Sequence, residues 1–123
     1  MTKTLMNDKI YDLEKRTLEF SKMVIALCRI IPKNIITIPL ISQLIRSATS
    51  IGANYSEANA ACSKADFKNK IYICKKELKE TLYWLEILLE AELSISDKVK
   101  PIFEETKELI FIFSKIISSL NSK

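Results

Sequence analysis

A chain of 123 residues is long enough to bury a hydrophobic core without disulfides or a structural metal, and we expect one domain over residues 1–123. One glycine and three prolines are too few turn-forming residues for a sheet protein built from many hairpins, so the composition predicts an all-α fold. The 19 basic and 15 acidic residues give a net charge of +4, a milder excess than a dedicated nucleic-acid-binding protein usually carries.

The cysteines and the distribution of apolar residues indicate the compartment. Cys28, Cys62 and Cys74 are odd in number, widely spaced and set among apolar residues, which is not the pattern of a disulfide framework or a zinc site. We expect them to be small core residues in a reducing environment. The N-terminal stretch lacks an apolar signal segment, and no stretch approaches the ~18 apolar residues typical of a membrane span. The sequence therefore predicts a cytoplasmic location without membrane association.

The first predicted helix covers about residues 8–31, because apolar residues recur there at spacings of three and four. Its core face consists of Leu13, Phe20, Val24, Leu27 and Ile31. Pro32 ends this helix. The second helix covers about residues 38–62, with Thr37 as its N-cap and Pro39 in its first turn.

The second helix has one core face and one face of small and polar residues. The core face consists of Ile41, Leu44, Ala48, Ile51, Gly52, Tyr55 and Cys62, and the opposite face of Arg46, Ser50, Ala53, Asn54, Glu57 and Ala61. Glycine inside a helix costs about 1 kcal/mol relative to alanine. Gly52 therefore predicts a close approach by a neighbouring helix.

The third helix covers about residues 64–93 and has apolar side chains on two sides. Ser63 and Asp66 form a capping-box pattern at its start. A near seven-residue repeat makes one face: Phe67, Ile71, Cys74, Leu78, Leu82, Leu85 and Leu89. The opposite side carries Tyr72, Ile73, Lys76, Glu80, Tyr83, Trp84 and Ile87. A helix that is apolar on both sides is normally buried on both sides, which predicts a partner.

The fourth helix covers about residues 97–120, with Pro101 near its first turn. Its core face consists of Ile102, Leu109, Phe113, Ile116 and Leu120, widened by Phe103, Ile110 and Ile117. Four amphipathic helices with short loops predict an antiparallel up-down-up-down four-helix bundle. The surplus apolar surface predicts self-association into a cyclic homo-oligomer.

Few residue sets in the chain suggest catalysis. There is no histidine, and no phosphate loop, nucleophile elbow or zinc ligand set is present. An oxygen-only metal site from Glu57, Glu77 and Glu80 is conceivable, but ion pairing with Arg46, Lys70 or Lys76 is the favoured interpretation. We therefore expect no enzymatic activity, no cofactor and no metal.

Basic charge is concentrated at the start of the third helix. Between residues 64 and 79, six lysines stand against two acidic residues, a net of +4: Lys64, Lys68, Lys70, Lys75, Lys76 and Lys79. These side chains could neutralise phosphates in a salt-dependent way, and Tyr72, Tyr83 and Trp84 could stack on bases. The alternative is that the lysines are solvated surface and the aromatic residues an oligomer interface.

Two motifs carry a resemblance to a known family. The first is Arg46-Ser-Ala-Thr-Ser-Ile-Gly-Ala-Asn54-Tyr-Ser-Glu57-Ala, and the second is Lys76-Glu77-x-x-Glu80-Thr-x-Tyr83-Trp84-Leu85, with Ser63, Asp66-Phe67 and Lys70 between them. They resemble the bacterial four-helix-bundle proteins related to those encoded in intervening sequences of 23S ribosomal RNA genes.

The resemblance implies a ring-like homopentamer without known enzymatic activity. Arg46, Asn54, Glu57, Glu77, Glu80, Tyr83 and Trp84 occupy its motif positions, and with Ile87 they are the candidate interface residues. A distant relative, the accessory protein of diversity-generating retroelements, is a pentamer that binds nucleic acid and a reverse transcriptase through a basic surface.

Three hypotheses follow. The leading one is a non-enzymatic homo-oligomer whose basic rim binds RNA or another nucleic acid weakly. The second is a protein-only adaptor or scaffold, and the third, which is remote, is a carboxylate metalloenzyme.

Overall fold

The computed structural model describes residues 12–122, and within that range it contains helices and no strand. The four helices are α1 (Leu13–Ile30), α2 (Thr37–Asn59), α3 (Lys64–Ala91) and α4 (Ser96–Leu120), with a 3₁₀ turn at Leu93–Ile95 between the last two. The all-α prediction is thus confirmed. The predicted start of the first helix, near residue 8, lies outside the described residues. No helix in the described range is long and apolar enough to cross a bilayer.

Neighbouring helices run in opposite directions around a common core. The hydroxyls of Ser47 in α2 and Thr81 in α3 are 2.9 Å apart, whereas the later Ile51 of α2 accepts a hydrogen bond at 3.5 Å from the earlier Cys74 of α3. The same antiparallel sense holds between α1 and α2, between α3 and α4, and between α4 and α1. Across the core, the rings of Tyr55 and Phe113 meet edge to face at 5.6 Å.

Most residues of the predicted core faces are buried, including all five of α1. The α3 face differs in detail. Apart from Glu77, its buried residues follow an unbroken seven-residue repeat, namely Ile71, Cys74, Leu78, Thr81, Leu85 and Leu88. The predicted Phe67, Leu82 and Leu89 are only half-buried. Thr81 is tolerated inside the core because its hydroxyl donates to the Glu77 carbonyl at 2.8 Å and is paired with that of Ser47.

The α1–α2 connection shows that Thr37 is not the cap of α2. The Asn34 side-chain Oδ1 accepts hydrogen bonds of 2.9 Å from the backbone N–H groups of Ile36 and Thr37. Thr37 is instead fully buried, and its hydroxyl donates to the Pro32 carbonyl at 2.6 Å. An asparagine three residues upstream therefore provides the side-chain acceptor that the helix start requires.

The second helix ends at Asn59, three residues before the predicted end, and Cys62 is exposed rather than in the core. The chain leaves the helix because Ser63 adopts an extended conformation, with φ −143° and ψ 161°. In that conformation its Oγ accepts a 3.1 Å hydrogen bond from the backbone N–H of Asp66. The predicted cap of α3 is thus present, and forming it shortens α2.

Gly52 lies where α1 and α2 approach most closely. A Cβ added at this position would lie 3.1 Å from the Thr17 Oγ1 and 3.3 Å from the Thr17 Cβ. The close approach predicted for Gly52 is confirmed.

Candidate functional site

An arginine of α2 and two glutamates of α3 form an ion-pair cluster. The Arg46 guanidinium lies 3.3 Å from Glu77 Oε1 and contacts the Glu80 carboxylate through its other terminal nitrogen. Its Nε donates to the Gln43 side chain at 3.4 Å. Glu77 is only 7% exposed, whereas Arg46 and Glu80 are open to solvent on one side. The cluster joins α2 to α3 and keeps a nearly buried carboxylate paired.

A second ion pair, between Glu57 of α2 and Lys70 of α3, joins the same two helices further along their length. The Lys70 ammonium lies 2.7 Å from Glu57 Oε1, and this hydrogen bond together with the negative charge raises the pKa of Lys70. Each of the three candidates for a carboxylate metal site, Glu57, Glu77 and Glu80, is therefore paired with a cation. Within residues 12–122 no group of three or more cysteine, aspartate or glutamate residues is arranged to hold a metal ion.

Asn54 does not take part in either cluster. It is half-buried, and its side-chain Nδ2 donates to the Ser50 carbonyl of its own helix at 2.9 Å. This motif position therefore contributes to α2 alone within the described part of the chain.

The aromatic pair on the outer side of α3 includes an unsatisfied donor. Tyr83 and Trp84 meet edge to face, with ring centres 5.0 Å apart and an interplanar angle of 76°. Tyr83 is 54% exposed, and Ile87 is partly exposed one turn further on. The Trp84 Nε1 is buried and has no hydrogen-bond acceptor among the described residues. An unpaired buried donor costs about 1–3 kcal/mol.

The six candidate lysines do not form one surface. Because a helix advances about 100° per residue, Lys64, Lys68, Lys75 and Lys79 fall within an arc of about 60°, which we call the basic flank of α3. Lys70 points to α2, where Glu57 holds it, and Lys76 lies outside the arc. Within the described range, the four lysines of the basic flank make no salt bridge.

A groove between α3 and α4 lies at the end of the basic flank. It encloses about 430 Å³ and is lined by Lys79, Leu82, Tyr83, Glu86, Lys107 and Ile110. The Lys107 ammonium lies 4.9 Å from the centre of the Phe103 ring. Sequence reasoning missed Lys107 because no local pattern indicates it. Only the antiparallel register of α3 and α4 brings it to the groove.

The fold and these surfaces define a small helical-bundle protein in which polar clusters connect helices and unpaired lysines follow one flank of α3. The chain belongs to the 23S rRNA-intervening sequence protein family, whose model matches residues 9–115. The resemblance seen in the sequence is confirmed.

A solved structure supports the same assignment. A protein of unknown function from the S23 ribosomal protein family of Bacteroides thetaiotaomicron is 34% identical to this chain, with a TM-score of 0.75. The match covers 85% of this chain and 96% of that one. No curated protein matches the chain.

Proposed function

We propose that this protein is a non-enzymatic homo-oligomer, expected to be a ring-like pentamer, that binds RNA or another nucleic acid through the lysines at the start of α3. The observation that carries the proposal is the basic flank. Its four lysines extend over about 22 Å of helix at 1.5 Å per residue. A row of unpaired cations on one side of a helix suits the phosphate backbone of a nucleic acid.

Several copies of the basic flank in one oligomer would bind a nucleic acid more tightly than a single copy. One subunit carries a net charge of only +4, and a few lysine–phosphate contacts give weak, non-specific binding. Several copies on one ring bind the same strand with a high effective concentration. The family name refers to 23S rRNA intervening sequences, which makes RNA the first ligand to test.

Self-association is supported by the outer side of α3. The buried Trp84 N–H lacks an acceptor in the described part of the subunit, and Ile87 leaves apolar surface beside it. Trp84 and Ile87 are both only partly buried in the single chain, and a neighbouring subunit would cover the apolar surface that they leave exposed. Arg46 and Glu80, which are partly exposed on the same side, would lie at the edge of the interface.

Two measurements test the proposal. Light scattering at micromolar concentration should give the mass of an oligomer, and a monomer would exclude the assembly. RNA should be retained at low salt and released at high salt, because counterion release drives the binding. Retention that does not change with salt would exclude the electrostatic mechanism.

A protein-only adaptor is the second candidate, and a specific feature favours it. Ile35 (90% exposed), Ile36 (61%), Ile38 (55%) and Leu93 (70%) lie at the same end of the bundle and expose apolar surface there. An adaptor would purify without nucleic acid. Charge reversal at Lys64, Lys68 and Lys75 would then leave binding to its protein partner intact.

A further inference from the structure

The groove between α3 and α4 brings together groups that suit a nucleotide. We infer that it binds single-stranded nucleic acid, with Lys79 and Lys107 contacting phosphates and the Tyr83 ring stacking on a base. The inference rests on the proposed function and makes it more specific, because it names the strand type, the groove that holds it and Lys107, which lies outside the predicted lysine set.

The two cations of the groove come from different helices and are available. Neither Lys79 nor Lys107 makes a salt bridge within residues 12–122, and both are exposed. The Lys107 ammonium lies over the Phe103 ring, 4.9 Å from its centre. This contact holds the ammonium in position and leaves its positive charge available to a phosphate. Two positive charges on opposite walls of one groove are suited to hold a phosphate backbone between them.

The Tyr83 ring provides a surface for stacking. It is 54% exposed, and its contact with Trp84 is edge to face, at 76°, so the two rings do not cover each other by stacking. A base stacks on such a ring only when it is unpaired, because paired bases are already stacked inside a duplex. This selects a single strand over a duplex. It also assigns Tyr83 to the groove and leaves Trp84 and Ile87 to the subunit interface.

The charges on α3 indicate which way the bound nucleic acid runs along the helix. Lys75 and Lys68 precede Lys79 by about 6 Å and 16 Å along the helix axis, so the backbone can follow the basic flank toward the N-terminal end of α3. Glu86 stands seven residues after Lys79, on the same side of the helix and within the groove. Its carboxylate repels phosphate and marks the end of the path.

The test uses the full-length protein and a fluorescent oligouridylate, alone or annealed to oligoadenylate. Replacing both cations by K79A and K107A should lower affinity about tenfold or more. It should also reduce the slope of log affinity against log salt by about 1.4, because two phosphate contacts are lost at about 0.7 each. The matched control carries K15A and K22A on α1, which does not neighbour α3, and should retain nearly wild-type binding.

The Tyr83 variants separate stacking from charge and from assembly. Tyr83→Ala should weaken binding of the single strand about tenfold with an unchanged salt slope, and Tyr83→Phe should restore binding. Light scattering should show the same oligomer for both variants. Dissociation of the Tyr83→Ala oligomer would overturn the inference, since it would place Tyr83 in the subunit interface.

The remaining outcomes distinguish this inference from the function on which it rests. If RNA binds but the groove variants match the K15A and K22A control, the site lies elsewhere and only the inference fails. Equal affinity for the duplex would also overturn it. If the wild-type protein binds no RNA at low salt, the proposed function itself fails.

Discussion

Gly52 and Thr17 touch where α1 and α2 cross, and neither residue can be understood from its own helix alone. The Thr17 hydroxyl donates to the Leu13 carbonyl at 2.7 Å, which fixes the side chain in a fully buried position. Glycine has a low helix propensity, but because it lacks a Cβ it allows the two helix backbones to approach at Gly52.

Gly52→Ala should destabilise the protein by about 1 kcal/mol, because overpacking against Thr17 outweighs the gain of about 1 kcal/mol in helix propensity. Urea unfolding measures the change. The same substitution in a Thr17→Ala background should cost less, since the nearest atom, Oγ1, is gone. An equal cost in both backgrounds would show that Thr17 is not the obstacle.

The three cysteines differ in burial and should differ in reactivity. Burial raises the pKa of Cys28 to about 11 and that of Cys74 to about 12, whereas Cys62 is exposed. An aromatic disulfide reagent at neutral pH should therefore modify one thiol per native chain rapidly and all three after unfolding. In Cys62→Ser the rapid reaction should disappear. Rapid modification of a second thiol would contradict the buried positions.

The same burial predicts a loss of stability in alkali. Unfolded thiols ionise near their ordinary pKa of 9.0, while Cys28 stays protonated in the native state up to about 11. Because the native pKa is raised, its contribution is complete below pH 9 and is lost as the pH rises toward 11. The free energy of unfolding should fall over this range, and less steeply for Cys28→Ala than for the wild type. If the free energy of unfolding fell equally with pH in both proteins, the loss of stability could not be assigned to Cys28.

Among the four helices, α3 contacts both α2 and α4 along its length, and its sides have different chemistry. The side toward α2 carries ion pairs and buried hydroxyls, and the flank toward α4 carries lysines and then Glu86. The Arg46 cluster illustrates the first of these, because one arginine contacts a nearly buried and an exposed carboxylate.

Neutralising the two carboxylates should therefore have unequal effects. Glu77→Gln should lower the free energy of unfolding by about 1–2 kcal/mol, since Glu77 is 7% exposed and little screened. Glu80→Gln, the matched control on the same arginine, should cost less than about 1 kcal/mol because its pair is exposed. Denaturant titration of both variants at low and high salt checks the ranking. Equal losses would show that burial does not control the strength of these contacts.

The surface of the whole bundle divides into regions with different expected partners. We propose another copy of the chain for the Trp84 and Ile87 side of α3 and a nucleic acid for the α3–α4 groove, whereas the apolar end of the bundle is the surface that a protein adaptor would use.

Ile87→Glu should reduce the oligomer to a smaller species by light scattering, because a charge in an apolar interface is desolvated without a partner. Circular dichroism should show an unchanged helix content, since Ile87 is outside the core. Ile35→Glu, at a residue 90% exposed at the end of the bundle, is the control and should leave the mass unchanged. If Ile35→Glu lowered the mass and Ile87→Glu did not, the interface would lie at the end of the bundle that carries Ile35.

The family and the arrangement of helices were accessible from the sequence because they depend on short-range patterns. Apolar spacing identified the α1 core face, and the Ser63 cap marked the start of α3. The errors at Thr37 and Cys62 arose where another residue nearby in the chain, Asn34 or Ser63, takes the capping role. Such competition is decided by loop geometry, which periodicity does not contain.

The helical class, the helix order, most of the core and the concentration of lysines at the start of α3 all follow from local patterns of residues. Tertiary structure decided which of those lysines are paired, that Thr81 enters the core opposite Ser47, and that Lys107 joins Lys79 and Tyr83 in one groove. The physical reason is distance along the chain. Helix faces follow from neighbours three and four residues away, whereas the groove depends on the register of two helices whose contacting residues are more than twenty positions apart.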